Sequence, residues 1–182
     1  PNDAYNAAVK VLLKNNGNIH ALILCAESAF EQRNFDLAEN YITQVLQSDP
    51  SNATCQLMRA RILIEKGEYL KAQAALDSFS KTEKVNKDYY VVRLYLLRDW
   101  NKNIHAAAMT ATQALKEYPE DQELLLLAAD IASSAGRKIN DMTASQLSSK
   151  VLGNDPSNAD ALQIMVKEAI RTGEYPSKEI FL

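Results

Sequence analysis

The sequence predicts an all-α fold built from a repeated pair of antiparallel helices. The segment Asp-Pro-Ser-Asn-Ala at 49–53 returns at 155–159. Before its first copy, apolar residues follow the i, i+3, i+4, i+7 spacing of an amphipathic helix. One alanine also recurs in each second helix at steps of 34, 34, 35 and 37 residues, at Ala4, Ala38, Ala72, Ala107 and Ala144. A fixed period with two helices per unit is typical of a helical repeat array.

We expect ten helices and no strand. Pro50 and Pro156 end the helices before them, because proline has no backbone N–H to donate. The free N–H groups that begin the next helices can donate hydrogen bonds to Ser51 or Asn52 and to Ser157 or Asn158. About three extra residues in the segment 136–141 predict a longer turn there. The predicted helices lie near 3–14, 19–32, 35–48, 53–66, 69–82, 88–101, 104–117, 122–135, 141–152 and 159–172.

The order of small and aromatic residues resembles that of tetratricopeptide repeat (TPR) proteins. Their 34-residue unit has a small residue within its first helix, an aromatic residue opening the second, an alanine facing back, and a closing proline. The chain fills these roles with Ala26, Phe35, Ala38, Val45 and Pro50; then Ala60, Gly67, Tyr69, Ala72 and Phe79; then Ala107, Ala114 and Pro119; then Ala129, Gly136, Ala144, Val151 and Pro156. Tyr95 departs from this pattern, since it stands where the third unit should have a small residue. We expect the two helices there to splay or to shift locally.

The resemblance covers almost the whole chain and implies a right-handed α-solenoid, the TPR superhelix, as a single domain over 1–182. Its parts are a half repeat at 1–18, repeats at 19–52, 53–87, 88–121 and 122–158, and a partial repeat at 159–182.

Both ends of the chain predict a fragment of a longer array. Residues 3–14 read as a second helix without a first, and stacked repeats need polar terminal caps. The last helix instead has more apolar residues than one buried stripe uses: Leu162, Ile164, Met165, Val166, Ala169 and Ile170. Two alternatives are self-association through the terminal helices and a tail, 180–182, that folds back over the last helix.

Charge and hydropathy exclude two classes of partner. The net charge of −3, with both signs interspersed, leaves no broad basic face for nucleic acid. No segment approaches the roughly 18 consecutive apolar residues that a membrane helix needs. The sequence therefore predicts a soluble chain without direct membrane insertion, in the cytoplasm or the periplasm.

Residues that could carry chemistry are few and scattered. His20 and His105 lie in different units and lack metal-ligand spacing to other side chains. Cys25 and Cys55 fall on predicted buried faces, which favours small core residues with free thiols. No glycine-rich phosphate loop occurs. We therefore expect no enzyme, no cofactor and no metal site.

The resemblance implies a concave groove lined by the first helix of each pair. Carried over position by position, the expected partner-binding residues are Ile23, Glu27, Phe30, Leu57, Met58, Arg61, Tyr89, Arg93, Leu96, Trp100, Leu126 and Asp130. This lining favours an amphipathic helix or an extended apolar peptide, with Arg61 and Arg93 available for a carboxylate. The competing interpretation is that Leu57, Val92 and Leu126 only pack between helices, and that Trp100 covers a turn.

These features favour a non-catalytic scaffold that binds another protein through its groove. The chaperone-tail binders of the family are excluded, because Ile23, Glu27 and Met58 stand where their carboxylate clamp needs lysine and asparagine. One alternative is a bacterial envelope assembly or export module, in exopolysaccharide or pilus export or in cytochrome c maturation. It depends on the likeness of the segment 135–144 to a turn in such proteins.

Overall fold

The computed structural model describes residues 2–100 and 103–173. Ten α-helices and no strand occur within these ranges, as predicted. Nine of the helices begin within one residue of the predicted position. The helices are α1 (Asn2–Lys14), α2 (Ile19–Glu31), α3 (Phe35–Ser48), α4 (Ala53–Glu65), α5 (Tyr69–Thr82), α6 (Lys87–Asp99), α7 (Ile104–Glu117), α8 (Gln122–Ala135), α9 (Ala144–Asn154) and α10 (Ala159–Thr172).

The chain divides into two compact units, unit 1 at 1–88 and unit 2 at 89–182. The expectation of a single domain stays a prediction. The predicted tail at 180–182 lies outside the described residues.

Unit 1 has its core where α2 packs against α3 and α4. Ala26 and Ala38 are both fully buried in one cluster with Leu22, Ile42 and Cys55. Small side chains at such a contact let two helix axes approach to about 8 Å. The alanine pattern therefore marks helix contacts in α3, α5 and their partners.

The alanine assigned to α1 needs correction. Ala4 is exposed, and Ala8 is the buried alanine of this helix, packed against Ala21 and Cys25. Ala4 lies about one helical turn before Ala8, so the predicted position was four residues too early in the helix.

Unit 2 places α8 against α7, α9 and α10. Ala129 is fully buried at the eighth position after Asp121, as Ala26 is at the eighth position after Asn18. In α6 the eighth position after Asn86 is Leu94, which is fully buried, whereas Tyr95 is half-buried. The assignment of Tyr95 to the small position was therefore wrong by one residue.

Asparagine and aspartate side chains begin most helices. Each accepts a hydrogen bond from the backbone N–H three residues later, which satisfies one of the free donors at a helix start. The predicted caps Asn52 and Asn158 are confirmed, at 3.1 Å to the Cys55 nitrogen and 3.0 Å to the Ala161 nitrogen. The other caps of this kind are Asn18, Asn34, Asn103 and Asp121.

The longer turn predicted within 136–141 is confirmed as an eight-residue connection, 136–143, between α8 and α9. Ile139 and Met142 exchange two backbone hydrogen bonds of 3.0 Å. Between them, Asn140 (φ 48°) and Asp141 (φ 63°) are both left-handed, the geometry of a type I′ hairpin turn. Helix α9 begins at Ala144 and not at 141, because this turn occupies the predicted first residues.

Candidate functional site

A groove of about 310 Å³ lies in unit 2 between α6, α8 and α10. Among the described residues, its walls come from these three helices, which are the first helices of successive pairs. The lining residues are Tyr95 and Arg98 of α6, Glu123, Leu126, Leu127 and Asp130 of α8, and Asp160, Gln163, Ile164 and Lys167 of α10.

The lining residues of α8 and α10 correspond one to one. Each α8 residue has a counterpart 37 positions later in α10, so that Glu123 corresponds to Asp160 and Asp130 to Lys167. Side chains at matching positions can border one cavity in this way when the two helices run in the same direction at the same level. The groove lining therefore contains pairs of matching side chains, one from α8 and one from α10.

The chemistry changes from one end of the groove to the other. Glu123 and Asp160 lie in the first turns of their helices and make one end acidic. Leu126, Leu127 and Ile164 follow, with Gln163 at the level of Leu126, and form a largely apolar middle. The far end carries the remaining charged side chains and Tyr95. A ligand in the groove would therefore meet carboxylates, then apolar surface, then mixed charge.

Arg98 is held in place at the far end. Its Nε donates to Asp99 Oδ1 at 2.6 Å and its Nη2 to Asp99 Oδ2 at 3.2 Å. Its Nη1 is 3.8 Å from Asp130 Oδ2, and the guanidinium carbon is 4.9 Å from the centre of the Tyr95 ring. The hydrogen bonds to Asp99 raise the pKa of Arg98. This cation is fixed in orientation, with its charge matched by neighbouring carboxylates.

A buried carboxylate connects two walls of the groove. Glu168 of α10 accepts hydrogen bonds from Ser133 Oγ of α8 at 2.8 Å and from Arg171 Nε and Nη2 at 3.1 and 2.7 Å. The Arg171 hydrogen bonds hold the pKa of Glu168 below its usual value, although burial acts in the opposite direction. This network fixes α10 relative to α8.

Unit 1 has a partly exposed surface on α2 and α4. The Arg61 guanidinium lies 5.0 Å from the centre of the Phe30 ring. Ile23 and Met58 are half-buried and pack against the unit 1 core. Glu27 is exposed, and its pKa is raised by partial burial of the carboxyl and by the nearby charge of Glu31.

The predicted groove residues have different positions in the structure. Leu126 and Asp130 line the groove of unit 2. Leu57 and Leu96 are 3% and 0% exposed, so they pack in the core and offer no surface to a partner. The burial of Leu57 and of Val92, which is 4% exposed, agrees with the competing interpretation that these side chains pack between helices. Tyr89, Arg93 and Trp100 are half-buried and lie outside the groove lining.

Sequence reasoning missed the lining residues of α6 and α10. In α6 the groove residues are Tyr95 and Arg98. Tyr95 lies one position before the selected Leu96, and Arg98 lies two positions before the selected Trp100. The signal was Asn86, which precedes α6 as Asn52 precedes α4. The four lining residues of α10 could have been found by counting from Asn158 in the same way.

The histidines and cysteines considered for catalysis or metal binding do not form a common site among the described residues. His20 and His105 are exposed, and His105 Nδ1 lies 3.2 Å from Arg137 Nη1. Cys25 and Cys55 are fully buried free thiols, as predicted, and burial raises the pKa of Cys55 to about 11. Residues 2–100 and 103–173 contain no group of acidic, histidine and cysteine side chains arranged to hold a metal ion. Within the same ranges, no helix has the length and apolar character to cross a bilayer.

Together, the paired helices, their repeated caps and the groove of first helices define the class of the protein, an all-α helical-repeat solenoid. Residues 29–91 match the family model of the tetratricopeptide repeat. This match and the fold of the chain confirm the resemblance to TPR proteins that the sequence shows.

A solved structure supports the same fold. The crystal structure of YrrB, described as a TPR protein with an unusual peptide-binding site, matches the chain with a TM-score of 0.58. The match covers 94% of this chain and 95% of that one at 16% sequence identity, so the likeness concerns the fold. No curated protein matches the chain by sequence.

Proposed function

We propose that the chain is a non-catalytic scaffold that binds a segment of a partner protein in the groove between α6, α8 and α10. The observation that carries this proposal is the lining: three first helices border one cavity with an apolar middle and charged ends. Peptide-binding grooves combine these features, since apolar contact supplies affinity and a few charges supply orientation.

The family and the fold support a role in protein interaction. YrrB, which has the same fold, is described with a peptide-binding site. The described groove lining contains no histidine, cysteine or serine, so its residue types favour binding over catalysis.

The surface of α2 and α4 in unit 1 is a second place for such contact. Phe30 and Arg61 form a cation–π pair there, with Ile23 and Met58 beside it. Stacked aromatic and arginine side chains are common anchors in protein interfaces. The envelope-assembly alternative stays a prediction, because the hairpin turn of the α8–α9 connection favours no particular partner.

The test is selection of peptides from a phage-displayed random library by the purified chain. We expect enriched peptides with the unmodified protein and loss of their binding with Leu126→Asp, which places a charge in the apolar middle. Met109→Asp is the matched control, because Met109 is exposed on α7 outside the lining. Equal binding to both variants would place the site elsewhere, and the Arg61→Glu variant then tests the surface of unit 1.

A further inference from the structure

We infer that two copies of the chain associate head to tail, with α1 of one copy packing as a second helix against α10 of the other. The contact joins an exposed apolar stripe on each helix, formed by Ala4, Ala7 and Val11 in α1 and by Ala159, Val166 and Ile170 in α10. None of these residues lines the groove of unit 2, so the contact goes beyond the proposed function.

Helix α10 exposes the face that a first helix buries in a complete pair. In α4, the eighth and twelfth positions after the asparagine cap are Ala60 and Ile64, and both are buried. Helix α5 follows α4 and packs against it. In α10 the same two positions are Val166 and Ile170, which are 45% and 73% exposed. Within the described residues, α10 therefore offers an apolar face of the kind that the pair of α4 and α5 buries.

Helix α1 exposes the matching face of a second helix. Val11 lies seven positions before the cap of α2, as Val45 of α3 lies seven positions before the cap of α4. Val45 is fully buried in one cluster with Ala26 of α2, whereas Val11 is 41% exposed. Ala4 and Ala7 share a side of α1 with Val11 because of the helical period, and both are exposed. Helix α1 thus carries small and apolar side chains where α3 meets its own first helix.

The charges of the two helices favour an antiparallel contact. Helix α1 has Asp3 in its first turn and Lys14 in its last, and α10 has Asp160 in its first turn and Arg171 in its last. Antiparallel packing places each acidic end beside a basic end, whereas parallel packing would place like charges together. The lengths of the helices, 13 and 14 residues, also match.

A second copy is the occupant that these faces indicate, because one chain carries both halves of a helix pair. Helix α1 already packs against α2 through Ala8, so its exposed side is presented by an ordered helix. Binding a preformed helix avoids the entropy cost of folding a flexible segment. Because the two faces differ, each contact leaves one stripe of either kind for a further copy.

Sedimentation velocity of the purified chain, from micromolar to submillimolar concentration, tests the contact. We expect the unmodified protein to associate as its concentration rises. Val11→Asp and Val166→Asp should each weaken association at least about tenfold, because each places a charge in the apolar contact. Leu13→Asp is the matched control, since Leu13 is more exposed than Val11 and lies on another side of α1. The control should associate like the unmodified protein.

Mixing the two impaired variants distinguishes a head-to-tail contact from a symmetric one. Val11→Asp keeps the stripe of α10, and Val166→Asp keeps the stripe of α1. Each variant alone should stay monomeric, whereas the mixture should form a heterodimer that does not grow further. Circular dichroism of each variant checks that the helices are retained.

A monomer at every concentration would overturn the inference, and so would undiminished association of Val11→Asp, which would indicate contact between two copies of α10. If the unmodified protein is monomeric but Phe181→Asp associates, the segment 174–182 is the occupant of the α10 face and the inference is again overturned. Peptide binding that depends on Leu126 is measured separately, so either proposal can fail without the other.

Discussion

Glu168 is the one charged side chain among the described residues that is buried, at 4% exposure. A buried carboxylate is costly unless hydrogen bonds replace the water it loses. Ser133 and Arg171 provide three such bonds, from two different helices. Glu168 therefore adds both stability and a fixed spacing between α8 and α10.

The stability that Glu168 supplies should depend on pH. Its pKa is lowered in the folded chain, so its contribution is present above the unfolded value of about 4.3 and is lost as the pH falls through the folded value. At pH 7 we expect Glu168→Gln to lower the free energy of unfolding by about 1.5–3 kcal/mol. Urea denaturation at several pH values should show this difference shrinking below about pH 4.

Glu120→Gln is the control for this comparison. Glu120 is exposed and pairs only across the surface with Lys150. Its replacement should change stability by less than about 0.5 kcal/mol at any pH. A Glu168→Gln effect that stays constant from neutral to acidic pH would contradict the assigned role.

Single residues also show where sequence reasoning about the site failed. One residue in a helix rotates the side chain by about 100°. When positions in α6 are counted from residue 88, the count selects Leu96 as a groove residue. Leu96 is buried, however, and Tyr95 lines the groove. Apolar residues occupy several faces of α6, so the pattern could not correct the count. In α8, Asp121 clearly marks the start of the helix. Counting from it selects Leu126 and Asp130, which line the groove.

At the scale of elements, helix bounds were predicted well because caps and periodicity are local signals. The caps at Asn52 and Asn158 could be predicted without knowing how the helices pack. The start of α9 was missed because Asn140 and Asp141 adopt left-handed backbone that helix periodicity does not reveal. Thr143 and Gln146 then form the capping box that begins the helix.

The hairpin turn before α9 predicts a stabilising substitution. Glycine adopts the left-handed backbone of Asp141 without the steric cost of a β-carbon, and Asn-Gly is the preferred pair in type I′ turns. We expect Asp141→Gly to raise the free energy of unfolding by up to about 1 kcal/mol, whereas Asp141→Val should lower it. Thermal denaturation measures both, and a lower melting temperature for Asp141→Gly would contradict the turn geometry.

At the scale of the whole molecule, repeat proteins gain stability from contacts between neighbouring units in sequence. The main core cluster of unit 1 illustrates this, because all its members lie between α1 and α4. The repeat period could be read from the sequence, since it depends on helix contacts within about one unit. The division of the chain into two units at residue 88 could not be read from the sequence, because it depends on how the packing between helices varies along the array.

Unit 1 should therefore fold by itself. We expect residues 1–88, expressed alone, to give a helical circular dichroism spectrum and a cooperative urea transition. Within this fragment, Ala38→Leu should destabilise by about 1–3 kcal/mol through overpacking of a fully buried site. Ala74→Leu, at an exposed position of α5, is the matched control. A disordered fragment, or equal effects of the two substitutions, would contradict this account.

The hairpin between α8 and α9 has a consequence for evolution. Its additional residues are absorbed between Gly136 and Thr143, while Glu123 and Asp160 still line the same groove. Insertions and deletions at this tip can thus be inherited without altering the lining of the groove. Chain length and groove lining can therefore evolve independently in this part of the protein.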